Sequence, residues 1–306
     1  MNQLNIGAPP LILEVEIRRD PMNISAGVPF GLVAMLSWGI ADFFAARAIR
    51  NVGVFKTLVW GQTIGLLVLI FTSFLVGVFT PTIDMIGIIL LAGFLNVVAC
   101  LSFYQGLQVG KVSIVSPVSA SWVVVTVILS LIFLGETLSS LQAAGVVLTI
   151  SGIFLISFRL RDLFGLRLKN IAAGVQFAAV SMVAWGVHYI FFDILVAGCG
   201  WFLPVLAVKA VTVSCLLLYA GFAKRDVSYP RNVAPLVIMV GFLEAAAFLS
   251  YGAGVSLEFT AIVAPVAATF PLVTIVLARI FFKEMMEVNQ KIGIGAVLLG
   301  LVLLSV

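Results

Sequence analysis

Asp42, His188, Lys209 and Glu244 each interrupt a long apolar stretch of this chain, and the amide of Asn96 interrupts another. An ionisable side chain at the centre of a lipid-spanning helix costs roughly 2.5–3.5 kcal/mol on insertion scales, so each is a functional candidate. Asp42 lies one helical turn after Trp38 and shares its face. Tyr189 stands in the same relation to Trp185, with His188 beside it. A carboxylate at mid-stretch either bonds a partner or holds a proton, because burial disfavours the ion. Both conditions suit a carrier in which a proton and a solute compete for one site. The solute-binding candidates are therefore Trp38, Asp42, Asn96, Trp185, His188, Tyr189, Glu244 and Tyr251, with Glu244, His188 and Asp42 as proton-coupling candidates. On this reading Glu244→Gln removes proton-coupled transport and leaves the fold intact. Lys209 is expected to pair with Asp193 or Glu244, or to snorkel. Pro117 and Pro265 each remove a backbone donor early in a span and are the gating candidates.

Catalysis finds little support among these residues. There is no H-E-x-x-H, no G-x-S-x-G and only one histidine, so the chain is not expected to be an enzyme, to hold a metal or to need a cofactor. Cys100, Cys199 and Cys215 sit singly, without metal-ligand spacing. No basic run offers a nucleic-acid patch.

The elements that position these groups follow from composition. Of 306 residues 62% are hydrophobic and 10% charged, where a soluble domain carries about 25% charged residues. Apolar runs near the roughly 20 residues needed to cross a bilayer fall at 28–46, 57–79, 84–107, 112–134, 140–158, 171–195, 200–223, 233–255, 260–282 and 289–306. The expected fold is an all-α polytopic membrane protein of ten transmembrane helices. Residues 1–26 read as a lead, non-native or disordered, with Met22 an alternative start. Fourteen of the 17 Lys and Arg fall on one side of this topology. The positive-inside rule makes that side cytoplasmic and places both termini outside, in the plasma (inner) membrane of a prokaryote.

The chain also repeats itself. A shift of 148 lays Gly93-Phe94-Leu95 on Gly241-Phe242-Leu243, Pro117 on Pro265, Val125-Thr126 on Val273-Thr274, Glu136 on Glu284, Gln142 on Gln290, and Gly145 and Gly152 on Gly293 and Gly300. A shift of 147 lays Trp38-Gly39 on Trp185-Gly186. Each half holds five spans, an odd number, so the second half enters the membrane in the opposite sense. Two inverted five-helix repeats, 27–158 and 171–306 joined by a basic cytoplasmic connector at 159–170, are an architecture of secondary transporters.

Each half has Trp-Gly in its first helix, Pro early in its fourth, Glu just after that helix, then Gln-x-x-Gly and a further Gly in its fifth. This set resembles the EamA-type branch of the drug/metabolite transporter (DMT) superfamily. The resemblance implies a secondary carrier that exports amino acids, related metabolites or toxic compounds. The second half departs from the first at Phe282-Lys283-Glu284, where Leu134-Gly135-Glu136 stands in its counterpart. Glu136 and Glu284 are expected to bond helix termini rather than solute.

The leading expectation is a permease for metabolite efflux, taking small solutes such as amino acids or amphipathic compounds by alternating access. The alternative is uptake of a sugar, nucleotide or nucleobase by the same fold. A channel or an intramembrane enzyme is more distant, since neither a ring of filter residues nor a catalytic set is visible. The partners expected are a small-molecule substrate, the bilayer and protons, with the chain monomeric.

Overall fold

The computed structural model describes residues 26–76, 83–110, 115, 118–157, 168–282 and 288–304. All regular structure among them is helical. The helices are α1 (Val28–Val52), α2 (Val54–Val76), α3 (Ile83–Val109), α4 (Trp122–Leu129), α5 (Ser140–Ser157), α6 (Leu168–Cys199), α7 (Phe202–Phe222), α8 (Ala234–Val255), α9 (Thr260–Ala267), α10 (Phe270–Phe282) and α11 (Val288–Leu304). A π-helical segment, Ser130–Leu134, prolongs α4.

Six helices are long and apolar enough to cross a membrane, and shorter apolar helices cover Val118–Leu134, Ser140–Leu155, Thr260–Thr274 and Lys291–Leu304. Large apolar side chains cover the outside: Phe74 is 82% exposed and Phe222 87%. In water such a surface would aggregate, whereas in lipid it is the solvated face. The chain is an integral membrane protein.

The tightest pairs are α1 with α8, α3 with α6, and α5 with α11. Around them, α2 packs on α8 as α7 packs on α3, and α10 packs on α1 as α4 packs on α6. Exchanging the two halves leaves this set of pairings unchanged. The same exchange holds for single atoms. Thr126 Oγ1 donates to the carbonyl of Gly186 at 3.2 Å, and Thr274 Oγ1 to that of Gly39 at 3.1 Å.

Gly39 is required where α1 crosses α10, because a Cβ there would lie 2.5 Å from Cβ of Val273 and 2.7 Å from the carbonyl oxygen of Phe270. Gly186 meets Val125 and the Trp122 carbonyl in the matching crossing. These small residues let the backbones approach closely enough for the two threonine bonds to form.

The span 260–282, read as continuous from the sequence, is broken. Helix α9 contains Pro265 but stays helical through Ala267, and the break falls at Ala268 and Thr269. The physical cause is Pro271, at the second position of α10. It cannot donate to a preceding carbonyl, so the hydrogen-bond ladder is interrupted there. A turn closed by Leu272 N to the Thr269 carbonyl, 2.9 Å, starts α10. The first half makes the equivalent turn without a proline, with Val124 N donating to the Ser121 carbonyl at 3.0 Å at the start of α4. Pro117, together with Glu284, lies outside the described residues, as do the lead through residue 25 and most of the connector.

Candidate functional site

The site grows from three polar side chains on neighbouring helices. Lys209 of α7 has its ammonium 2.7 Å from Gln62 Oε1 on α2 and 3.1 Å from Glu244 Oε2 on α8. The amide of Gln62 also donates to Glu244 Oε2 at 3.2 Å. The Lys209 side chain is 2% exposed and that of Glu244 13%. A buried ammonium needs both a counter-charge and acceptors for its protons. Here Glu244 supplies the charge, Gln62 a further acceptor, and the ring face of Phe248 lies 4.7 Å from the nitrogen. Of the partners expected for Lys209, Glu244 is the one bonded.

Asn96 of α3 holds the corresponding place in the other half, bonded without charge. Its amide donates to Thr212 Oγ1 at 3.1 Å, and its carbonyl oxygen accepts from the indole nitrogen of Trp185 at 3.2 Å. Trp185 is thereby fixed at the site, and Phe103 packs on it with ring centres 5.3 Å apart.

Trp38 packs against Tyr189, Phe248 and Tyr251, with ring centres 6.1, 5.4 and 5.8 Å away. Trp122, the first residue of α4, lies 4.2 Å from Tyr189. These rings and polar groups surround a cavity of about 30 Å³. That volume holds roughly one or two waters, so the chamber must widen to take a metabolite.

Trp38, Asp42, Asn96, Trp185, Tyr189 and Glu244 all line this cavity. The remaining two solute-binding candidates stand behind its wall. His188 is fully buried, with Nδ1 2.9 Å from the Ala92 carbonyl. A carbonyl only accepts, so Nδ1 carries a proton, and the ring packs on Tyr189 and Phe192. Tyr251 is also fully buried and backs the ring of Tyr189, 4.8 Å away. Pro265 is buried within α9, one turn before the break.

Sequence reasoning missed Gln62, Trp122, Phe248 and Phe270, of which the last three line the cavity. Three of these were detectable from the repeat. Gln62 and Lys209 are counterparts at a shift of 147, and Trp122 and Phe270 at 148, each opening the helix that follows a break.

At one end of the bundle Glu136 accepts from the backbone N–H of Thr260 and of Ala261, one on each carboxylate oxygen, both at 2.8 Å. It caps the start of α9 from the other half of the chain, as expected of a helix-terminus residue. Asp193 accepts from Thr260 Oγ1 at 2.8 Å. At the opposite end Lys56 pairs with Asp226 and holds its carboxyl down to about 2, while Trp60 Nε1 donates to the Val227 carbonyl at 3.0 Å.

A twofold helical chain with a polar and aromatic chamber between its halves has known relatives. The sequence profile of the EamA-like transporter family matches residues 25–158 and again residues 172–306. The chain belongs to the EamA-like transporter family. It is thus a member of the DMT superfamily of membrane transporters.

An uncharacterized protein of Methanocaldococcus jannaschii is 31% identical to this EamA-like chain over 134 residues, 44% of this chain and 98% of its own length. One half of the chain therefore corresponds to nearly a whole protein, as duplication implies. An uncharacterized transporter of Archaeoglobus fulgidus is 24% identical over 211 residues, covering 67% of this chain and 70% of its own. A crystal structure 17% identical in sequence superposes with a TM-score of 0.76 over 92% of this chain and 98% of its own, which shows a shared fold.

Proposed function

We propose that this EamA-like protein is a secondary transporter that exports small metabolites, amino acids or amphipathic compounds among them, by alternating access to the central cavity. The observation that carries the reading is the Lys209–Glu244–Gln62 cluster beside that cavity. A bundle needing only stability has no use for an ion pair whose desolvation alone is costly. The proposed topology has ten transmembrane helices in two inverted five-helix repeats, 27–158 and 171–306, with both termini outside. The Lys and Arg distribution and the exchange symmetry of helix pairings support it.

In this topology the breaks at Ser121 and Thr269 sit beside the cavity, each followed by an aromatic residue that lines it. Discontinuous helices at the substrate level are how transporters expose backbone groups to a solute and let one half-helix move on the other. The breaks, with Pro265 one turn away, are the gating elements of this reading. Glu136 and Asp193 seal the outer end.

The test is transport by purified protein in proteoliposomes. Preloading with a mixed pool of amino acids and organic amines is expected to drive uptake of a labelled member of that pool, dissipated by ionophore if protons are the coupling ion. Absence of counterflow for every solute class would refute the proposal.

A further inference from the structure

Within the transporter reading, on which this inference rests, the charge count of the cavity identifies the solute it selects. Two carboxylates, Asp42 and Glu244, line the chamber. Glu244 is matched by Lys209 at 3.1 Å. Asp42 has no hydrogen-bond or ion-pair partner among the described residues, although it faces a cavity with room for little water. The titratable groups lining the chamber with it are Glu244 on α8, Cys100 and Tyr104 on α3, and Tyr189 on α6. Lys209 on α7 is committed to Glu244 and Gln62, and His188 on α6 is turned to the Ala92 carbonyl. On α1 itself Arg47 follows a turn and a half later and is exposed. None of these supplies Asp42 with a cation.

An unpaired carboxylate in such a chamber is stable only as the acid or beside a positive charge. The walls supply what a positive charge needs besides a carboxylate. The faces and edges of Trp38, Trp122, Tyr189 and Phe248 enclose the same space, and aromatic surfaces are the usual companions of an ammonium group.

We infer that Asp42 is the charge-recognition site for a monovalent organic cation, an ammonium-bearing aromatic or aliphatic solute whose binding displaces the proton Asp42 holds when the cavity is empty. The exchange is electroneutral: one proton leaves the carboxyl as one positive charge arrives. The Lys209–Glu244 pair keeps the second carboxylate of the chamber matched, so that Asp42 is the carboxylate left to meet a cation. A solute carrying only a carboxylate meets an already matched ammonium and an unmatched carboxylate, and is rejected.

The experiment is calorimetric titration of the purified full chain in detergent with 2-phenylethylammonium and, separately, with 3-phenylpropionate, each in two buffers of different ionisation enthalpy. The cation is expected to bind at least tenfold more tightly than the anion and to release about one proton. Asp42→Asn is expected to lose the cation preference and the proton release, and Asp42→Glu to keep both. Equal or tighter binding of the anion, a preference that survives Asp42→Asn, binding without proton release, or no binding of either probe would each overturn the inference. The wild-type comparison stands even if a variant fails to fold. Counterflow of neutral or anionic solutes without cation binding would defeat this inference alone, whereas absence of all counterflow would defeat the transporter reading beneath it.

Discussion

Lys209 is the residue on which the stability of the site turns. Removing one member of a buried ion pair strands the other, at about 3–5 kcal/mol. Glu244→Gln is therefore expected to lower the unfolding temperature in detergent sharply, and Lys209→Met combined with Glu244→Gln to recover most of the loss. An unaltered melting curve for the single variant would show that the pair carries no such cost. The bond to Lys209 adds this stability cost to the loss of proton-coupled transport expected of Glu244→Gln, and whether Asp193 or Glu244 was its partner could not be chosen from spacing alone. Other parts of the site were legible. Trp38 with Asp42, and Trp185 with Tyr189, are one turn apart and repeat-related, so both helical period and duplication point at them. Gln62 is marked only as the repeat counterpart of Lys209, and Phe248 carries no such signal, because a single phenylalanine in an apolar run is common and only the fold brings it to Lys209.

At the level of elements, α9 is an eight-residue helix whose start depends on a side chain from the other half. Its first backbone donors have no partner within the helix, and Glu136 satisfies two of them with a negative charge placed at the helix's positive end. Glu136→Ala should lower stability by about 1–2 kcal/mol, at the upper range of cap losses. Glu136→Gln should cost less, since its amide oxygen still accepts one bond. Equal melting temperatures for the wild type and both variants would refute the cap. The six long helices were legible because apolar runs bounded by charge or glycine read directly as spans. The break in the ninth span was not, because two prolines lie six residues apart, and repeat matching drew attention to Pro265 rather than Pro271.

At the scale of the whole molecule, internal duplication is the feature that sequence and coordinates share most fully. Matched Trp-Gly pairs and threonines in the sequence become matched helix crossings and matched hydrogen bonds in space. The volume of the chamber had no counterpart in the sequence, since it depends on how far two halves lean on one another. The central claim is that the cavity opens alternately to the two sides of the membrane, and Cys100, buried and lining it, is a native reporter. With Cys199 and Cys215 replaced by serine, a membrane-impermeant cationic thiol reagent should be applied to right-side-out and to inside-out vesicles. Alternating access predicts that Cys100 is modified from both sides, and that 2-phenylethylammonium slows the reaction from each. Modification from one side only, or from neither, would contradict it.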